Sequence, residues 1–269
     1  MSIYVGTCGF SYPEWEGTFY PPALPLRDRL TYYADRFRAV ELDFSFYHLP
    51  EATNLEKMIR RTDKEFRFLI KAHRSLTHAE TLSEKALSQF REALAPLLRR
   101  RRLGAVLAQF PASFRCTREG VRHLRSLRDG LANIPLAMEF RHESWDRPQT
   151  LAFLERHEIA LCLTDSLQKE GLPLPTLPRT ADFLYLRLGG LGAAPMRDAP
   201  DDPGEGASLE SWAQRIEEAE QTVEAVYVLF NDIRQANTPK QARLLAQRLG
   251  IAVLRSVTKR ETQPQLALR

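Results

Sequence analysis

Glu41 and Asp43 stand two residues apart where one short apolar run ends, Lys71 and His73 where the next ends, and Glu139 and Arg141 where a later one ends. Gln109, Asp165, Arg187 and Asn231 close further runs of the same kind. Residues two apart on a strand share a face, so each pair presents two polar groups to one region. Carboxylates interleaved with Lys, Arg and His suit a small anionic or phosphate-bearing substrate, because cations hold an anion by charge-assisted hydrogen bonds while a carboxylate moves a proton. In this reading Glu139 or Asp165 is the acid or base, and Glu41 and Lys71 complete the catalytic group. Arg141, Arg187, Gln109, His73, His78 and Asn231 contact the ligand.

Two other readings use the same residues. Lys71 and Arg187 set against Glu41, Glu139 and Asp165 could form a ring of ion pairs that closes one end of the fold, since buried charges must find partners. Glu41, Asp43, His73, Glu139 and Asp165 could instead offer the mixed oxygen and nitrogen ligands that suit Mg, Mn or Zn. No HExxH motif accompanies them, and Lys71 and Arg187 would repel a cation. No metal or other cofactor is therefore expected.

The connecting stretches add aromatic rings. Tyr12 and Trp15 in the first, and Phe44, Phe46 and Tyr47 in the second, could stack on a sugar or base or pack the loops onto the body of the fold. Tyr12 and Trp15 are counted as ligand-binding candidates. Cys8 reads as a small buried thiol, although a neighbouring cation could make it a nucleophile. Gly189, Gly190 and Gly192 could cradle a phosphate on backbone N–H groups or hinge a lid.

Residues this scattered need elements that bring them together. The apolar runs cover residues 3–6, 40–43, 67–71, 105–109, 136–139, 160–165, 183–187 and 226–231, and most are separated by stretches of helical periodicity. That alternation argues βαβ units and a parallel sheet. About eight units close a TIM (β/α)₈ barrel, whose ligands sit where the strands end. Within residues 160–165 the alternation puts Leu161, Leu163 and Asp165 on the inner face. Helix starts are expected at Thr81 with Glu84 and at Thr238-Pro239-Lys240-Gln241, both as capping boxes, and at Asp146 before Pro148. Leu209, Trp212, Ala213 and Ile216 give one helical face. The prolines at 173, 175 and 178 and the Gly- and Pro-rich stretch 189–207 make the barrel irregular around units 6 and 7.

Bulk properties agree with one α/β domain over residues 1–257, followed by a flexible polar tail at 258–269. The 269 residues match the length of a single barrel of roughly 250 residues. Their 43% hydrophobic content is enough for a core. No apolar run approaches the roughly 18 residues of a membrane span, and the first residues lack a charged leader, so a cytoplasmic protein with no membrane partner is expected. Three cysteines far apart, with no CxxC, encode neither a disulfide framework nor a cysteine zinc site. The net charge of +4 permits an anionic ligand without demanding one. The basic run 99–102 follows a helical pattern, where cations at a C-terminus are favoured by the helix dipole.

Several long segments, in order, resemble the YecE-like family, domain of unknown function 72. They are GTCGFSYPEWEGTFYP at 6–21, ELDFSFYHLP at 41–50, FLIKAHRSLTH at 68–78, LAQFPASF at 107–114, EFRHESW at 139–145, YLRLGG at 185–190 and VYVLFND at 226–232. The resemblance implies a TIM-like barrel and brings no established activity. It supports Glu41, Lys71, His78, Gln109, Glu139, Arg141, Asp165 and Arg187 as site residues. The chain departs from the family pattern at Cys8 (usually Ser), Phe10 (usually Trp), Gly189 (usually His) and Asp232 (usually Asn). If that histidine carries a proton, its loss alters or abolishes the activity.

Three functions are thus expected in order: an enzyme acting on a small anionic substrate, a nucleic-acid-binding or endonuclease-like barrel suggested by the basic pI near 9.0 and the aromatic loops, and a non-catalytic ligand-binding protein suggested by the departures. Substrate, reaction and oligomeric state are not legible in the sequence.

Overall fold

The structure, a computed structural model, describes residues 2–164, 177–189, 209–231 and 237–251. Eight parallel strands close into a barrel in chain order, each hydrogen-bonded to the next and the last to the first. They are β1 (Ser2–Cys8), β2 (Ala39–Leu42), β3 (Arg67–Lys71), β4 (Leu103–Gln109), β5 (Leu136–Glu139), β6 (Ile159–Thr164), β7 (Phe183–Leu188) and β8 (Ala225–Phe230). Around them, among the described residues, lie α1 (Arg29–Ala34), α2 (Ala52–Arg60), α3 (Arg74–Thr77), α4 (Glu84–Arg99), α5 (Arg118–Gly130), α6 (Pro148–Arg156), α7 (Leu209–Glu220) and α8 (Thr238–Arg248). The α/β barrel expected from the alternation is present.

Two hydrophobic layers follow from the period of the strands. An outer one, including Val40, Ile70, Val106, Met138, Leu163, Leu186 and Val228, packs the strands against the helices. An inner one fills the barrel with Leu69, Leu107, Ala137, Ala160, Cys162, Tyr185, Tyr227 and Leu229. Because helices cover the outside and side chains fill the inside, both faces are apolar, as parallel sheets require. That explains the one strand whose phase the sequence reading reversed. In β6 the inner residues are Ala160 and Cys162, while Leu161 and Leu163 lie in the outer layer. Asp165, grouped with those leucines by sequence, lies outside the described residues, as do residues 166–176 and 190–208 of units 6 and 7 and the tail from 258.

Helix starts are shifted by a residue or two from the expected ones. Ser83, not Thr81, caps α4 by accepting the Ala86 N–H. Arg147 occupies the cap position of α6, with Asp146 one residue earlier. Thr238 is the first residue of α8 and Asn237 precedes it as the cap. The basic run behaves as expected: α4 ends at Arg99. Arg102 is buried, its Nε donating to the Phe66 carbonyl at 2.7 Å and its Nη2 to the Thr62 hydroxyl at 2.6 Å.

Two aromatic pedestals stiffen the strand exits. After β4 and β5, Phe114 and Phe140 stack on Trp145 with centroids 5.4 and 4.6 Å apart, and the Trp145 indole donates to the Phe114 carbonyl at 2.8 Å. After β1, Trp15, Phe19 and Tyr20 pack edge to face around the buried Arg29, which pairs with Glu16 and donates to Ser11 and the Tyr12 carbonyl. Aromatic pairs of this kind add about 0.5–1.5 kcal/mol each beyond area burial. They hold the loops bearing Tyr12 and Arg141 at fixed positions.

Candidate functional site

Arg187, at the end of β7, is the hub of the mouth. Its side chain is 3% exposed. Its Nη2 donates to Glu41 Oε1 at 3.0 Å and its Nη1 to Glu139 Oε2 at 2.7 Å. Leaving either glutamate ionised and alone in this interior would cost several kcal/mol, and the guanidinium fork meets both at once. The other oxygens are also used. Tyr185 donates its hydroxyl to Glu41 Oε2 at 2.7 Å, while Gln109 and, at 3.3 Å, Arg141 donate to Glu139 Oε1. The residues that close β2, β4, β5 and β7 therefore converge as the strand-end reading requires.

Asp43 lies just above this layer, in the short 3₁₀ turn Asp43–Phe46 that follows β2. Its side chain is 30% exposed, and its Oδ1 stands 3.9 Å from Arg187 Nη2. Burial and the neighbouring negative charge of Glu41 push the Asp43 carboxyl well above the usual carboxylate range. Burial works the same way on Glu41, but Arg187, hydrogen bonds from Asp43 and Tyr185, and the charge of Lys71 outweigh it and hold that carboxyl below the usual range. Two carboxyls this close cannot both ionise cheaply, and the one with the better cation takes the charge. Asp43 was placed on the Glu41 face by sequence but left out of the site residues. Tyr185, which fixes Glu41, was not singled out at all.

On the neighbouring strand, Lys71 ends β3 with its ammonium 4.8 Å from the centre of the Phe46 ring. No carboxylate among the described residues lies in ion-pair range of it. His78 packs edge-on against the same ring at 5.0 Å, with its Nδ1 2.8 Å from the Thr77 hydroxyl. Partial burial of its ring and the charges of Lys71 and Arg141 hold His78 below the usual histidine range. Arg141 reaches the opening with half its side chain exposed. Among the described groups, Glu41 and Glu139 are paired with Arg187 and Arg141, and Asp43 stands 3.9 Å from the same Arg187. Lys71 is the cation of this group that makes no ion pair among the described residues.

Other candidates take local roles. Trp15 is fully buried in the first pedestal and has no surface to offer a ligand, because Tyr12, Phe19 and Tyr20 enclose it. The Nδ1 of His73 caps α3, accepting the Ser75 N–H at 3.3 Å. Tyr12 is half-buried and donates to the Cys8 carbonyl at 2.9 Å. Asn231 follows β8 and its backbone N–H bonds to Leu188 at 2.6 Å. The backbone at Gly189 has φ +82°, a conformation side chains adopt only with strain, so the exit of β7 is built around the glycine.

Of the residues expected as metal ligands, Asp165 lies outside the described residues. Among the described residues, Cys8 Sγ and one oxygen each from Glu41 and Asp43 are the atoms close enough to share an ion, all within 4.8 Å of one another. Arg187 Nη2 lies 3.6 Å from that sulfur and 3.0 and 3.9 Å from Glu41 and Asp43. A cation of the protein thus already faces all three. Burial and the charge of Glu41 also push the Cys8 thiol well above its ordinary range.

A model of the family described as "Protein of unknown function DUF72" matches residues 4–266. The UPF0759 protein YunF of Bacillus subtilis (strain 168) is 29% identical over 271 residues, covering 93% of this chain and 95% of that one. Among solved structures, the DUF72 family protein TM1631 from Thermotoga maritima MSB8 is 30% identical, with a TM-score of 0.78 over 93% of this chain and 100% of the other. The DUF72 family protein EF0366 from Enterococcus faecalis V583, at 24% identity and a TM-score of 0.74 over 93% and 98%, shares the fold.

Proposed function

The chain belongs to the DUF72 family, and from that premise we propose that it is an acid/base enzyme acting on a small anionic substrate held in the barrel mouth. The observation that carries this reading is the placement of the Glu41 and Asp43 carboxyls against each other and against Arg187, where burial and Glu41 raise the proton affinity of Asp43, beside Lys71, which has no ion pair among the described residues. Lys71 binds the anion, and Arg141, exposed beside it, adds a second contact. Asp43 donates its proton to the substrate and takes one back, because among the described carboxyls it combines partial exposure with an elevated proton affinity. A proton donor works best when its proton affinity approaches the operating pH. The Asp43 carboxylate left after donation lies 3.9 Å from Arg187, which offsets its charge.

Arg187 and Glu139 serve this arrangement from below. Both terminal nitrogens of Arg187 are engaged by glutamates, so its part is to keep Glu41 charged. Glu139 holds Arg141 at the opening. Glu41 keeps the proton on Asp43 by its own charge. The test is a thermal-shift screen of phosphorylated, carboxylated and neutral metabolites, followed by turnover assays on each hit. Hits concentrated among the anions, with turnover lowered about 10²–10⁴-fold by Asp43→Asn while binding persists, are expected. Hits that bind without turnover in the wild-type protein would instead establish a ligand-binding protein, and hits confined to neutral compounds would remove the anion from the account.

A further inference from the structure

The two aromatic loops meet opposite fates. In the first, Trp15, Phe19 and Tyr20 are buried. In the second, which begins at Asp43, Phe44 is 44% and Tyr47 is 63% exposed, both at the rim where β2 ends. Single exposed rings are ordinary on a protein surface, and exposure alone would carry nothing. The arrangement around Phe46 adds the second observation. Its ring is touched edge-on by Tyr47 at 5.0 Å and by His78 at 5.0 Å, and the Lys71 ammonium stands 4.8 Å from its centre. One ring therefore ties an exposed aromatic to a cation that has no carboxylate partner among the described residues.

Resting on the reading of an anion at Lys71, we infer that the ligand also carries a flat ring, seated against Tyr47 with Phe44 beside it while its anionic group meets Lys71. The ligand class is an aryl or heteroaryl phosphate or carboxylate. Tyrosine suits this task because its large rigid face is presented at little conformational cost, and stacking tolerates different rings. Phe46 fixes the spacing between the two contacts, so a chain-like anion of equal charge would reach Lys71 and leave Tyr47 in water.

The test measures dissociation constants for inorganic phosphate, glycerol phosphate, phenyl phosphate and a nucleoside monophosphate by calorimetry, on the wild type and on Tyr47→Ala, Phe44→Ala and Lys71→Met. The ring-bearing phosphates should bind about tenfold tighter than glycerol phosphate to the wild type, as one aromatic stack provides. Tyr47→Ala should remove most of that preference and leave glycerol phosphate within about twofold, because its ring is exposed and meets only the ring portion of the ligand. Lys71→Met should weaken every probe about tenfold or more. A preference from either ring source supports the inference. Equal affinity of ring and chain phosphates, or a preference untouched in both Tyr47→Ala and Phe44→Ala, overturns it while the anion site stands. Failure of every probe to bind, inorganic phosphate included, defeats the anion site and the ring site together.

Discussion

Glu41 in β2 and Asp43 just after it share one cation, Arg187, and their proton affinities are shifted in opposite directions, Glu41 below and Asp43 above the usual carboxylate range. Arg187 is 3.0 Å from Glu41 and 3.9 Å from Asp43, and Tyr185 donates to Glu41 as well. Those differences decide which carboxyl is charged. They also raise the proton affinity of the more exposed carboxyl of the two, Asp43.

The pair makes stability depend on pH in a defined direction. Asp43 has a raised proton affinity in the folded state, so its contribution is full below its unfolded value of about 3.9 and is lost as the pH rises through its folded value. Asp43→Asn, a near-isosteric neutral replacement, should therefore be more stable than the wild type at neutral and alkaline pH. The gain should shrink as the pH falls towards the ordinary carboxylate range. Urea denaturation at a series of pH values checks this, and a pH-independent difference would be inconsistent with the assignment. Glu41 runs the other way: its contribution is present above its unfolded value and is lost as the pH falls through its lowered folded value.

Arg187 is the keystone of the buried charges. Arg187→Met leaves Glu41 and Glu139 without their shared cation and should destabilise the fold by about 3–5 kcal/mol, the usual effect of removing one partner of a buried pair. Adding Glu41→Gln and Glu139→Gln to the same chain removes the stranded charges and should recover most of the loss. Chemical denaturation of the single and triple variants measures both. Equal losses in the two would show that Arg187 acts through packing.

Lys71 should make the folded protein sensitive to anions. Inorganic phosphate at ten times its dissociation constant stabilises a single-site binder by about 1.4 kcal/mol, and the gain should appear as a rise in Tm. Lys71→Met should abolish most of that rise while leaving the melting point without phosphate nearly unchanged, because the ammonium gives up only a ring contact worth about 0.5–1 kcal/mol. An undiminished rise in Lys71→Met would place the anion elsewhere.

Most of the architecture was legible in the sequence, because apolar runs closed by polar residues and spaced by helical stretches admit few folds besides a closed parallel barrel. The phase of β6 was not, since its two faces are Leu161 and Leu163 against Ala160 and Cys162 and both are apolar. The convergence of Glu41, Gln109, Glu139 and Arg187 followed from strand ends alone. The division of labour between Glu41 and Asp43 did not, because it depends on an arginine 146 residues away and on the hydroxyl of Tyr185. Trp15 and Tyr47 look alike as aromatics in loops. What separates them is Arg29, whose buried side chain gathers the first loop against the body of the fold. The second loop is tied down by the small buried Ser45, whose hydroxyl donates to the Lys71 carbonyl at 2.7 Å, and its larger rings Phe44 and Tyr47 stay exposed.

The most direct measurement is a pH titration of the protein labelled with ¹³C at the aspartate carboxyls, followed by NMR. One aspartate should titrate well above the ordinary value of about 4, vanish from the spectrum of Asp43→Asn, and move back towards that value in Glu41→Gln. Aspartates that all titrate at or below the ordinary value, with the Asp43 signal among them, would contradict the proton-bearing Asp43 on which the proposed chemistry depends.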